Sequence, residues 1–129
     1  MEGIRFATFK DAFVTAKRGD TVKQSTRAFV AAAAAARCYG RPVAGVYDYS
    51  VQEACPLGRA ELERAARIRE RDAVVLYASH EERVSLEVHE DLFTGLDHLT
   101  GTFFAGAVHD ADVMVYDGQE GRYYKFHVQ

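Results

Sequence analysis

Nine consecutive residues, Ala28 to Ala36, are apolar, and all but Phe29 and Val30 are alanine. Alanine is the strongest helix former, so the run is helical wherever it can be buried. A helix that is apolar on every side must be covered on every side, and small side chains let its neighbours approach closely. Asp20 is a suitable N-cap, Gly40 and Pro42 are stop signals, and the spacing predicts a helix from Asp20 to about Cys38. Val22, Thr26, Phe29, Ala33 and Ala36 form one stripe along it. This central helix dictates the rest, because the remaining chain must supply a surface wide enough to enclose it.

The chain has 129 residues. That length suits one domain spanning residues 1–129. Ile4–Phe9 reads as a first strand and Lys10–Arg18 as one or two helical turns. Val43–Tyr49 reads as a strand and Arg59–Arg71 as a second helix, closed by Asp72. Ala73–Ala78 is a continuous apolar run of strand length, the pattern of a central strand. Arg83–His89 alternates apolar and polar side chains, the pattern of a strand with one wet face, joined to its predecessor by a short polar link. Glu90–Leu99 reads as a short helix on the spacing of Leu92, Phe93, Leu96 and Leu99. Three further strands are expected at Thr102–Val108, Asp112–Tyr116 and Arg122–Val128, separated by turn sequences. No internal repeat is read. The order predicts an α+β domain: a mixed, mainly antiparallel sheet of about five to six strands, with helices, including the buried Ala-rich one, packed on one face.

No stretch has the length or hydropathy of a membrane span, and the first ten residues lack the pattern of a signal peptide. Two cysteines, Cys38 and Cys55, do not make a disulfide framework. These features predict a cytoplasmic protein with reduced thiols and no membrane partner. Cys38, at the end of the apolar helix, is expected in the core, and Cys55, in a loop, is expected to be the more exposed; a bridge between them stays open.

The formal net charge is −3, but it is unevenly distributed. Residues 1–71 hold 13 basic and 8 acidic side chains, whereas residues 72–121 hold one basic side chain, Arg83, and 11 acidic ones. A surface of one sign attracts a partner of the other and raises its association rate. The candidate partner-binding residues are therefore Glu81, Glu82, Glu87, Glu90, Asp91, Asp97, Asp110 and Asp112. They are expected to be most continuous between Arg83 and Asp91.

Other chemistry has weaker support. No phosphate loop or G-x-G-x-x-G is present, and no histidine pair has the H-E-x-x-H spacing, so no cofactor and no metal site is expected. Tyr47-Asp48-Tyr49 and Tyr123-Tyr124 set aromatics beside charges, but the acidic surroundings disfavour direct nucleic-acid binding. Arg59, Arg64, Arg67, Arg69 and Arg71 alternate with Glu61, Glu63 and Glu70, which suits self-paired surface charge. The leading expectation is a non-enzymatic binding protein or inhibitor whose acidic C-terminal half docks on a basic surface of another macromolecule. One concrete form is an inhibitor of the phage or mobile-element kind that occupies a nucleic-acid-binding protein by imitating phosphate charge. The alternatives are a small enzyme using His89 with Glu90 or Asp91 as an acid–base pair, with Cys55 as a remote nucleophile candidate, and a structural subunit of a homo-oligomer.

Overall fold

The computed structural model describes residues 24–68, 73–78 and 82–129. The strand at Ile4–Phe9, the turns at Lys10–Arg18, the cap at Asp20 and the helix end at Asp72 lie outside the described residues. So does Glu81.

Helix α1, Gln24–Tyr39, realises the alanine run. Ala31 to Ala35 are 0% exposed, so the helix is enclosed on all sides, as an apolar surface of that extent requires. It ends at Gly40, whose φ is 73°, with the Gly40 N–H donating to the Ala36 carbonyl. Then follow β1 (Val46–Asp48), β2 (Glu53–Ala54), α2 (Arg59–Ala65), a 3-10 turn over Ala66–Ile68, β3 (Ala73–Tyr77), β4 (Arg83–His89), β5 (Leu92–Asp97), β6 (Thr102–His109), β7 (Asp112–Asp117) and β8 (Arg122–Val128).

Among the described residues, eight strands form one antiparallel sheet in the order β2-β1-β8-β7-β6-β5-β4-β3. The α+β class is as the sequence predicts, and the sheet is larger than five to six strands. From β3 to β8 each strand pairs with its successor, a meander. Helix α1 crosses the inner face, touching β1, β4, β6, β7 and β8, and α2 packs on α1 and β3. Phe29, Val84, Val88, Phe104, Val113, Val115 and Phe126 fill the core between helix and sheet, all at most 2% exposed.

Three sequence expectations are corrected. Residues 92–97 are strand β5, not part of a helix: Leu92 and Thr94 are exposed while Phe93 and Asp97 are buried, a two-residue alternation. The apolar run at 73–78 is not central. Among the described residues it is the last strand of the sheet, and Val75 and Tyr77 are half exposed. That edge is partly covered, because Arg64 Nε donates to the Tyr77 carbonyl at 2.9 Å.

The third correction concerns repeats. Val88-His89-Glu90, Asp97 and Gly101 recur twenty residues later as Val108-His109-Asp110, Asp117 and Gly121. Glu90 and Asp110 both hold positive φ in two-residue turns, and Gly101 and Gly121 both hold φ above 70° or at it. Asp97 accepts from the N–H of Leu99, and Asp117 from that of Gln119. Each is an Asp whose side chain imitates a backbone turn two residues on. Asp48 does the same with the Ser50 N–H, at the head of a third four-residue loop.

Candidate functional site

The inner-face end of the sheet carries buried polar residues. Asp48, Asp97 and Asp117 are at most 1% exposed, and Glu82 is 3% exposed. Asp48 accepts from Gln24 Nε2 at 2.8 Å and from Ser50. Burial raises its pKa, but these hydrogen bonds and the nearby Arg27 charge outweigh that and hold it below the ordinary carboxylate range. Asp117 pairs with Arg27 at 3.0 Å. Asp97 accepts from Thr100 Oγ1 at 3.0 Å, and Thr100 and Thr102 hydroxyls lie 2.6 Å apart. Burial, together with the Glu82 carboxyl hydrogen-bonded to it, pushes the Asp97 pKa up to about 7. A proton on Asp97 relieves its repulsion from the Glu82 carboxyl.

Among the described residues no element covers the outer face of the sheet. Glu87, His89, Leu92, Thr94, Ala105, Ala107, Met114, Tyr116, Tyr123 and Lys125 stand on it by strand alternation and register. Leu92, Phe103, Met114 and Tyr123 are exposed there. Tyr116 and Tyr123 rings pack 5.1 Å apart. At one corner Asp112 gathers three partners: His127 Nδ1 at 3.2 Å, Lys125 Nζ at 3.7 Å and the Tyr49 hydroxyl at 3.2 Å. The His127 bond, then Lys125 and Tyr49, hold the Asp112 carboxyl below its ordinary range despite some desolvation.

The eight acidic candidates therefore divide. Glu82 and Asp97 are interior and offer no surface charge. Glu87, Glu90, Asp91 and Asp110 are exposed. The turns β4–β5 and β6–β7 leave the same end of the sheet, which puts Glu90 and Asp91 alongside Asp110. Asp112 borders that end and is already engaged by Lys125, His127 and Tyr49. The sequence offered no sign that Glu82 and Asp97 are interior, except that Asp97 recurs as Asp117 at a twenty-residue interval.

The alternative chemistry finds little footing. The His89 side chain is 74% exposed, with Glu87 at 3.9 Å, and an open position like this does not shield a proton transfer from water. The cysteine expectation reverses: Cys38 is exposed and Cys55 is buried, and both are free thiols. Burial pushes the Cys55 pKa up to about 11, opposite to what a nucleophile needs. Cys38 lies past the enclosed part of α1, where its thiol meets the Glu90 carbonyl at 3.4 Å. Among the described residues no group of three or more His, Cys, Asp or Glu side chains is arranged to hold a metal ion. No helix among them is long and apolar enough to cross a membrane.

No family model, curated protein or solved structure matches this chain.

Proposed function

We propose that this is a non-enzymatic binding protein of the cytoplasm that docks through the acidic end of its open sheet face on a basic surface of another macromolecule. The observation that carries the reading is that Glu87 on the open face and Glu90, Asp91 and Asp110 in the β4–β5 and β6–β7 turns are all exposed and gather at one end of the sheet. On that face Lys125 is engaged with Asp112, and Arg83 stands at the far end of the strand that carries Glu87. Such a patch speeds encounter with a basic partner and rejects nucleic acid. An inhibitor whose carboxylates occupy the phosphate positions of a nucleic-acid-binding protein is the form that this charge suits best.

Capture of host proteins on the immobilised chain, at low and high ionic strength, tests this. The wild type should retain basic proteins at low salt and release them at high salt. The triple variant Glu87→Lys, Glu90→Lys, Asp91→Lys should retain few at either. Equal capture by variant and wild type at every salt concentration refutes the reading.

A further inference from the structure

Beside the acidic end, the open face holds a trough of about 530 Å3. Its floor is Thr94, Ala105 and Ala107, and its walls are Leu92, Met114 and Tyr123. Strand register explains the depression. Thr94 lies opposite Ala105, and Ala107 lies between Leu92 and Met114, so short side chains alternate with long ones across neighbouring strands. Nothing in the core demands short residues there, because these positions face solvent. Leu92 and Tyr123 are 59% and 60% exposed. Single exposed apolar residues are ordinary, but several around one depression mark a surface that another molecule covers.

The charge beside the trough selects what covers it. Glu87 sits directly opposite Thr94 on the neighbouring strand, and Glu90 and Asp91 lead into Leu92. Lys125, opposite Met114, has its ammonium 3.7 Å from Asp112 Oδ2 and 4.9 Å from the Tyr49 ring centroid, so it does not offset them. An occupant must therefore be apolar where it enters and cationic beside it.

Resting on the acidic docking reading, we infer that the trough takes one large apolar side chain, aromatic or leucine-like, from a peptide segment of the partner that carries Lys or Arg on either side. The carboxylates supply attraction and the trough supplies the anchor. Hot spots of protein interfaces are of this kind: a large side chain in a desolvated pocket, surrounded by charges that steer more than they bind.

The chain contains no tryptophan, so a tryptophan peptide reports its own burial by fluorescence. Two synthetic peptides, Lys-Lys-Gly-Trp-Gly-Lys-Lys and its counterpart with Ala for Trp, are titrated against the full chain. The tryptophan peptide should bind at least about tenfold more tightly, the loss expected from truncating a modest hot spot, with its emission shifted to the blue. In Ala107→Leu, which fills the floor, and in Tyr123→Ala, which removes a wall, that advantage and the blue shift should vanish. The weak, salt-sensitive binding of the alanine peptide should persist. Both substitutions face solvent, and circular dichroism melting confirms that the variants fold. Equal affinity for the two peptides overturns the trough inference and leaves the acidic docking reading standing. Failure of both peptides to bind at low salt overturns both. A dimer in sedimentation that Tyr123→Ala dissolves assigns the trough to a second copy of the chain and also overturns the inference.

Discussion

Arg27 on α1 donates from Nη1 to Oδ2 of Asp117 at 3.0 Å, joining residues 90 positions apart in the chain. Its guanidinium also lies 3.9 Å from the centroid of the Tyr124 ring. The alanine helix has little side-chain relief to fix its position on the sheet, and this pair supplies a defined anchor. Asp117 is 0% exposed, so Arg27→Met leaves a buried carboxylate without its guanidinium. Breaking a buried pair on one side costs about 3–5 kcal/mol. Urea denaturation should show a loss of that order for Arg27→Met and a smaller one for Arg27→Met with Asp117→Asn. A double variant as unstable as the sum of the single ones would show that the two side chains do not interact.

Asp97 predicts how stability depends on pH. At low pH the folded and unfolded chains both hold its proton, and the group contributes nothing. Between the ordinary carboxylate value, about 4, and about 7 the folded chain keeps a proton that the unfolded chain has released. Stability therefore falls as pH rises through that window, and the full penalty stands above it. Asp97→Asn should melt at a higher temperature than the wild type at pH 8, with the difference closing toward pH 4. Parallel melting curves across that range would contradict it.

Much of the fold was readable. The central helix, the strand at Arg83–His89 and the strand at Arg122–Val128 follow from local pattern alone. The region 90–99 was not, because Leu92, Phe93, Leu96 and Leu99 satisfy a helical period while the two-residue turn at Glu90-Asp91 commits the chain to a hairpin. The better signal was the twenty-residue recurrence of Asp97 at Asp117 and Gly101 at Gly121, which marks two hairpins of one design. The proposed acidic patch was half legible. Sequence position located Glu87, Glu90 and Asp91, but the burial of Glu82 and Asp97 depends on which face each strand presents. The trough was not legible, because it is made by register across strands.

Two glycines are irreplaceable for different reasons. A Cβ on Gly106 would lie 1.9 Å from the Met114 carbonyl oxygen and 2.5 Å from the Phe93 ring. Gly121 has open space around it but a φ of +70°. Gly106→Ala should cost about 1–3 kcal/mol through overpacking, and Gly121→Ala about 1–2 kcal/mol through backbone conformation. Asparagine separates the causes, since it tolerates positive φ. Gly121→Asn should be milder than Gly121→Ala, and Gly106→Asn harsher than Gly106→Ala, in thermal melts.

The thiols should react unequally. Cys38 is open to reagent, and Cys55 is enclosed with its pKa pushed up to about 11. A disulfide-exchange reagent at neutral pH should label one thiol per native chain promptly and the second only on unfolding. The Cys38→Ser variant should lose the prompt fraction, and prompt labelling that survives in that variant would place Cys55 at the surface.

The meander also bears on how such a chain arises and changes. From β3 to β8 every strand bonds to its neighbour in sequence, so closing each hairpin costs little loop entropy, and only the β1–β8 pairing spans a long stretch of the described chain. Its β5–β6 hairpin lies between two-residue turns twenty residues apart, at Glu90 and Asp110. A segment of that length could be copied or excised without rethreading the strands on either side. The width of the sheet, and with it the area of the open face, is therefore a quantity that duplication can adjust in whole hairpins while the helix underneath stays in place.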